Sequence, residues 1–130
     1  MTEELIRKTV DYPAGSTIIN EGDTDRKLYI LLEGDCKVYK HGVEIATFRE
    51  QGTFFGEMSM ILNVARTATV KADTDAKVHE IELGLDTMLT EYPELTKMIL
   101  QTLAMRLENE TEAMFTHLAT MDISELGLDV

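Results

Sequence analysis

The sequence predicts a mainly β domain with C-terminal helices: an antiparallel sandwich or barrel of short strands, followed by a short and a long α-helix. Glycines at positions 15, 22, 34, 42, 52 and 56 separate short apolar or alternating runs in the first half of the chain. Between Gly84 and Gly127 glycine is absent, and apolar residues recur every seven positions. The first pattern is typical of strands joined by turns, and the second is typical of a helix.

Five short runs carry the strand prediction, because they are rich in Val, Ile and Thr or alternate between apolar and polar residues, and because turn residues bound most of them. They cover residues 28–32, 36–40, 43–48, 67–72 and 76–83. We therefore expect the β part to cover about residues 11–83 within one domain of 130 residues.

Two helices are predicted after the strands. Residues 86–91 favour a short helix that ends before Pro93, and a proline at that position is well placed to open the next helix. The long helix should run from Pro93 to about Met121, which gives a helical part at about residues 84–121. It carries an apolar stripe that consists of Leu100, Leu107, Met114 and Met121, with Leu103, Ala104, Thr111 and Leu118 beside them.

The length of this helix has a consequence for partners. A helix from residue 93 to 121 is roughly 40 Å long at 1.5 Å per residue, which exceeds what a domain of this size needs to cover one face. We expect its distal half to pack on a second copy of the chain, giving a homodimer, or on an attached or partner output domain. The alternative is that the helix folds back on its own sheet.

Charge and hydropathy exclude several classes of protein. The chain has 24 Asp and Glu against 12 Lys and Arg, a formal net charge of −12, which argues against binding to nucleic acid. With 44% apolar residues it can bury a core. It contains no run of about 18 apolar residues and no secretory signal pattern, so we expect a cytoplasmic protein that does not bind a membrane.

No metal centre or catalytic site is expected. The histidines at 41, 79 and 117 are far apart and Cys36 is the only cysteine, so the spacing of a metal-ligand set is missing. Ser59 does not occupy a Gly-x-Ser-x-Gly elbow, and no His–Asp pair can be assigned to it. We therefore predict no catalytic residue, no metal and no cofactor. A phosphodiester hydrolase with Glu57 as base is the least favoured alternative.

Residues 54–70 carry the pattern of an anion site. Gly56 lets the backbone turn sharply, and residues 57–62 have the composition of a short helix whose first N–H groups lack internal partners. Arg66 can return over the helix start and grip the same anion through two parallel hydrogen bonds. We expect this arginine to be held by ligand more than by the core. An Arg66–Glu57 pair with a purely structural role explains the same spacing.

The neighbouring side chains define the expected ligand more closely. A carboxylate beside an anion is repulsive, so Glu57 should accept hydrogen bonds from a ligand hydroxyl and act as the charge partner of Arg66. Ser59 and Thr67 add hydroxyl donors, and the backbone N–H of Ala68 lies at the strand edge. The ligand should therefore carry an anionic group and an adjacent hydroxyl.

A known family shows the same motifs. The chain contains Phe55-Gly56-Glu57-Met58-Ser59 and then Arg66-Thr67-Ala68-Thr69-Val70, which resembles the phosphate-binding cassette of cyclic nucleotide-binding domains, F-G-E-[LM]-[AS] followed by R-[TAS]-[AST]. Residues 13–23, 28–34 and 95–107 resemble the family's opening strand and turn, its next strand and the start of its C-terminal helix. The resemblance implies an antiparallel β-roll (a double-stranded β-helix or jelly roll) followed by a short and a long α-helix. We name residues 54–70 the cassette.

The resemblance also implies a non-catalytic sensor of a 3′,5′-cyclic nucleotide, cAMP or cGMP. The phosphate would lie on Arg66 and the N–H groups of residues 56–59, and the ribose 2′-hydroxyl on Glu57. In the family the base points toward the C-terminal helix, which acts as a lid. The candidate ligand-binding residues are Gly56, Glu57, Met58, Ser59, Arg66, Thr67 and Ala68, then Phe55, Val38 and Ala46 as pocket walls or core, and Asn109 and Thr111 near the base.

Two departures from the family pattern are visible. Ala65 stands where many members have proline, which should loosen the loop without removing a contact. Thr67 supplies a hydroxyl that can serve guanine recognition in the family, although cAMP-responsive members also carry it, so the preferred base stays open. The chain is either a stand-alone sensor or a piece of a longer regulator. The alternative function is an interaction or dimerisation domain that retains the fold without binding nucleotide.

Overall fold

The strands form two four-stranded antiparallel sheets. The computed structural model describes the backbone of residues 6–119 and the side chains of residues 8–110. The strands of that part are β1 (Ile6–Tyr12), β2 (Thr17–Ile19), β3 (Leu28–Glu33), β4 (Cys36–Lys40), β5 (Val43–Phe48), β6 (Phe54–Phe55), β7 (Thr69–Ala72) and β8 (Ala76–Glu82). One sheet has the order β1-β8-β3-β6 and the other β2-β7-β4-β5. This arrangement confirms the predicted antiparallel β-roll.

The helices are α1 (Glu57–Leu62), α2 (Leu85–Glu91) and α3 (Pro93–Ala119). They too agree with the predicted fold class, a β-roll followed by a short and a long helix. The chain divides into two compact units, one that ends at Glu91 and one that begins at Tyr92. None of the described helices combines the length and the apolar character needed to cross a membrane.

Some boundaries differ from the prediction. β1 starts at Ile6, before the predicted start at about residue 11, because it pairs with β8 in unbroken register from Ile6↔Glu82 to Tyr12↔Ala76. β7 starts at Thr69 instead of residue 67. The backbone N–H and carbonyl of Arg66, just before β7, bond to Asp23 and Gly22 in the loop between β2 and β3. Met121, the predicted end of the long helix, lies outside the described residues.

The core contains residues of both sheets. Strand alternation sends every second side chain to one face, and on β8 this rule turns Ala76 and Val78 to the interior. Val38 on β4 is partly buried against this cluster. The buried members are Ile18, Ile19, Tyr29, Leu31, Cys36, Phe55, Val70, Ala72, Ala76 and Val78.

Two turns interlock at one end of the roll. Gly34, between β3 and β4, has φ 98°, and a Cβ there would lie 2.4 Å from the carbonyl oxygen of Asp75. The next residue, Asp35, accepts the N–H of Asp73 at 2.8 Å and donates its own N–H to Thr74 Oγ1 at 2.9 Å. The β3–β4 turn therefore packs against the β7–β8 turn at a distance that only glycine allows.

Candidate functional site

A left-handed turn precedes α1, which we name the cassette helix. Gly56, between β6 and α1, has φ 80° and ψ 9°, a conformation that glycine adopts without the steric cost of a side chain. A Cβ on Gly56 would lie 2.8 Å from Nη1 of Arg66. The absence of a side chain at this position therefore lets the Arg66 guanidinium approach the backbone where α1 begins.

Arg66 is buried and held by protein oxygens. Its side chain places Nε 3.1 Å from Asp25 Oδ1 and Nη2 2.7 Å from Asp25 Oδ2, which is a bidentate pair. Nη2 also donates to the carbonyl of Lys27 at 2.7 Å, and Nη1 donates to the carbonyl of Gly56 at 2.6 Å. A guanidinium has five N–H groups, so these bonds leave one N–H of Nη1 with no partner among the described residues.

This geometry corrects one expectation about Arg66. The sequence predicts that ligand holds the side chain, whereas Arg66 is 4% exposed and makes hydrogen bonds to three residues of the chain. Its bidentate partner is Asp25, whereas the charge partner predicted from the sequence is Glu57. Glu57 itself is buried in the first turn of α1. Protein groups therefore orient the arginine side chain.

The charge of Asp25 depends on this contact. Hydrogen bonds from Arg66 lower the pKa of the Asp25 carboxyl, partial burial opposes the shift, and the positive charges of Arg66 and Lys27 add to it. Asp25 is therefore ionised near neutral pH. The net charge of the Arg66–Asp25 pair is close to zero, so any attraction of an anion to this turn depends on the N–H groups that remain.

Aromatic rings connect Arg66 to the core. The guanidinium carbon lies 5.7 Å from the centroid of the Tyr29 ring, and Tyr29 stacks on Phe55 with centroids 5.2 Å apart. Phe48 packs on Phe55 at a tilt, with centroids 4.9 Å apart. Burial raises the pKa of Tyr29 to about 12, with nearby carboxylates adding to the shift, so its phenol is neutral. The guanidinium thus lies over the first of three rings that pack in succession, Tyr29, Phe55 and Phe48, which we name the ring column.

Ser59 brings a buried hydroxyl to the same turn. Its side chain lies in α1 and is 3% exposed. Its Oγ has no hydrogen-bond partner among the residues that the structure describes. A buried hydroxyl without a partner costs free energy, so its presence three residues after Gly56 makes Ser59 a candidate contact for a polar group.

The sequence profile of the cyclic nucleotide-binding domain matches residues 9–85, which is more than half of the chain. The chain belongs to this family. The matched stretch contains every strand from β2 to β8, the helix α1 and the whole cassette. The resemblance found in the sequence is thereby confirmed.

Cyclic nucleotide-binding domains of known proteins resemble the chain in sequence and fold. The cAMP-dependent protein kinase regulatory subunit of Aspergillus niger is 40% identical over 79 residues, which are 59% of this chain and 18% of that protein. A solved structure of PKAR CBD2 with bound Sp-2Cl-cAMPS has 27% identity and a TM-score of 0.64, over 95% of this chain and 74% of the other. The chain therefore corresponds to less than a fifth of the curated relative.

One similar structure comes from a kinase that is described as cAMP-independent. It is the regulatory subunit of a cAMP-independent protein kinase A from Trypanosoma brucei, with 27% identity and a TM-score of 0.55. The similarity covers 58% of this chain and 28% of that one. Proteins with this fold therefore include one from a kinase that does not depend on cAMP.

The other predicted site residues of this cyclic nucleotide-binding domain lie in different surroundings. Met58 is exposed on α1, Thr67 is exposed next to Arg66, and Ala68 is half-buried. Val38 and Ala46 are cross-strand neighbours on β4 and β5, with Val38 against the core and Ala46 exposed. Phe55 is buried in the ring column. Asn109 is exposed on α3, and the side chain of Thr111 lies outside the described residues.

Three residues around Arg66 were not among the predicted site residues: Asp25, Lys27 and Tyr29. Asp25 and Lys27 belong to the loop between β2 and β3, residues 20–27, which we name the β2–β3 loop. Besides the side-chain bonds, this loop donates Gly22 N–H to the Arg66 carbonyl at 2.8 Å and accepts the Arg66 N–H on Asp23 at 2.7 Å. The acidic composition of the loop was the available signal, but this composition does not indicate which residue of the chain the loop contacts.

Within the described part of the chain no three His, Cys, Asp or Glu residues form a group that could hold a metal ion. Cys36 is buried, and burial raises the pKa of its thiol to about 11, which keeps it protonated.

Proposed function

We propose that the chain is a cytoplasmic regulatory module that binds a cyclic mononucleotide, cAMP or cGMP, at the cassette. The observation that carries the proposal is the Arg66 guanidinium, which is buried beside the Gly56 turn with one N–H of Nη1 unassigned among the described residues. The regulatory subunit from Aspergillus niger belongs to a cAMP-dependent kinase, and PKAR CBD2 holds a cAMP analogue. Both relatives support this class of ligand.

The proposed contacts follow the family pattern on the matching residues. Arg66 Nη1 and the backbone N–H groups of residues 56–59 bind the phosphate, with the hydroxyl of Ser59 close to them. Glu57 accepts the ribose 2′-hydroxyl, since an ionised carboxylate is an acceptor only. Met58, Thr67 and Ala68 border the same group. No catalytic residue is proposed, because binding alone accounts for these groups.

Occupancy is transmitted through α3 in this proposal. A ligand changes the position of a helix only by its different affinity for the two positions. Leu100 and Ala104 lie one turn apart on α3 and both are exposed. This apolar stripe supports an association with a second copy of the chain, or with a kinase, since the curated relatives are named as regulatory subunits of a protein kinase.

Calorimetric titration with cAMP and with cGMP tests the binding itself. Saturation of the native state at about 100 times the dissociation constant should stabilise it by roughly 2.7 kcal/mol, which raises the melting temperature by several degrees. The proposal would be contradicted if neither nucleotide gave a heat of binding or a shift in melting temperature. That result, together with a dimer in solution, would favour the alternative of an interaction domain that does not bind nucleotide.

The role of Glu57 has a test of its own. The native chain should bind 2′-deoxy-cAMP more weakly than cAMP, because the deoxy compound leaves the buried carboxylate without its hydroxyl donor. Glu57→Gln should show a smaller preference for cAMP than the native chain, because a neutral amide oxygen is a weaker acceptor than a carboxylate. The matched control is Glu50→Gln, at an exposed position after β5, which should keep the native preference. Equal preference in Glu57→Gln and the native chain would remove Glu57 from the proposed contacts.

A further inference from the structure

Arg26 fastens the β2–β3 loop to the far end of the cassette helix. Its Nε donates to Asn63 Oδ1 at 3.1 Å. Its Nη1 donates to the carbonyls of Thr24 and Asp25, the latter at 3.1 Å. One half-buried side chain therefore joins the backbone of Asp25 to the residue that ends α1.

Asn63 has a conformation that makes this contact specific. It caps the C-terminus of α1 with φ 56° and ψ 48°, the left-handed region that asparagine tolerates better than most residues. The turn at Asn63 directs the chain from α1 toward Arg66. Its amide oxygen receives Arg26, so the bond holds both the turn and the loop that carries Asp25.

Besides the bond from the Glu21 N–H to Thr69 Oγ1 at 3.0 Å, the loop meets the cassette at two further places. At Arg66 the contact consists of the Asp25 carboxylate, the Lys27 carbonyl and two backbone hydrogen bonds. At Asn63 it consists of the Arg26 bond alone. The second contact fixes the carbonyl of Asp25, and so restricts the backbone from which the Asp25 carboxylate reaches Arg66.

We propose that Arg26, acting through Asn63, is a positioning residue for the ligand-binding guanidinium of Arg66. The inference rests on the proposed function for its effect on affinity. Asp25 and Lys27 hold Nε and Nη2 of Arg66, which leaves Nη1 directed at the cassette turn. Loss of the Arg26 contact lets the loop sample other positions, so the ligand must then order Arg66. The free-energy cost of that ordering weakens the binding of the ligand.

The experiment compares Arg26→Ala, Asn63→Gly and the double variant. Asn63→Gly keeps a residue that adopts the left-handed turn and removes only the amide acceptor. Each single variant should bind cAMP about fivefold to tenfold more weakly, the loss expected for one hydrogen bond. The double variant should lose no more affinity than the single variant that binds cAMP more weakly. Arg49→Ala is the matched control, since Arg49 is exposed and makes no hydrogen bond or ion pair among the described residues. It should bind as the native chain does.

A second readout does not need nucleotide. The NMR signal of the Arg66 Nε–H proton reports the bond from this group to Asp25. In the nucleotide-free protein this proton should exchange faster with solvent in Arg26→Ala and Asn63→Gly than in the native chain. Unchanged exchange in both variants, or additive losses of affinity in the double variant, would overturn the proposal. If the native chain binds no cyclic nucleotide, the proposed function fails, and the exchange rates still decide whether Arg26 positions Arg66. Arg26→Lys should not restore slow exchange, because an ammonium cannot reproduce the fork of three bonds.

Discussion

Arg66 and Asp25 face each other through two parallel hydrogen bonds, with Nε 3.1 Å from Oδ1 and Nη2 2.7 Å from Oδ2. The two residues are 41 positions apart in the sequence. Their contact joins the β2–β3 loop to the cassette and orients the guanidinium at the same time. The candidate ligand group is therefore also part of the folded framework, and substitutions of Arg66 itself should reduce both binding and stability.

The first prediction concerns pH. The pKa of Asp25 is lowered in the folded chain, so its contribution to the free energy of unfolding is complete above the unfolded pKa, about 3.9, and is lost as pH falls through the folded pKa. We expect urea denaturation between pH 6 and pH 2 to show a loss of stability below about pH 4. Asp25→Asn should be less stable at pH 7 and should show a smaller loss in acid.

Glu50→Gln is the control for this series. Glu50 is exposed, and its side chain makes no hydrogen bond or ion pair among the described residues. The variant should follow the native pH dependence closely. If the free energy of unfolding of Asp25→Asn fell with pH as steeply as that of the native chain, the Arg66–Asp25 pair would not account for the loss of stability in acid.

Ser59→Ala should separate binding from folding. The buried Oγ has no hydrogen-bond partner among the described residues, so its removal should leave the free energy of unfolding unchanged or raise it by up to about 1 kcal/mol. The affinity for cAMP should fall severalfold in calorimetric titration. Ser16→Ala, which removes a hydroxyl bonded to the Pro13 carbonyl, should leave the affinity unchanged. Full affinity in Ser59→Ala would exclude the serine from the ligand contacts.

Gly34→Ala should be strongly destabilising. The new Cβ would combine a positive φ with a distance of 2.4 Å to the Asp75 carbonyl oxygen, and we expect a loss of at least about 3 kcal/mol. Gly15→Ala isolates the conformational cost, because Gly15 has φ 87° and nothing within 4 Å of its Cβ position. That variant should lose roughly 1–2 kcal/mol. Equal losses in urea denaturation would mean that the close approach at Gly34 carries no energy of its own.

Leu100→Lys tests the proposed association through α3. Leu100 is 63% exposed on the apolar stripe, and a charge there should turn a dimer into a monomer, as measured by light scattering after size exclusion. Met98→Lys is the control, because two residues along a helix correspond to about 200° around it, which places Met98 away from the stripe. A native chain that is monomeric with and without cAMP would contradict the homodimer.

Local signals in the sequence predicted much of the architecture. β4, β5 and α1 have the predicted bounds, because glycine turns and apolar alternation depend on neighbouring residues only. The predicted roles of Gly56 and Arg66 also came from local pattern and from family resemblance. The left-handed conformation of Gly56 agrees with the sharp turn expected there.

The surroundings of Arg66 were beyond such signals. Asp25, Lys27 and Tyr29 reach the guanidinium only because the β2–β3 loop and β3 pack beside the cassette, and no periodicity in the sequence encodes that contact. The loop offers several carboxylates within a few residues, among them Glu21, Asp23 and Asp25. Only the folded backbone decides which of them meets the arginine.

The ring column beneath Arg66 makes the chain its own optical reporter. It has four tyrosines and no tryptophan, so no indole emission obscures the phenol of Tyr29, which lies near the guanidinium and stacks on Phe55. Any rearrangement of the arginine should alter tyrosine fluorescence and near-ultraviolet circular dichroism. Titrations can therefore be followed without attaching a dye.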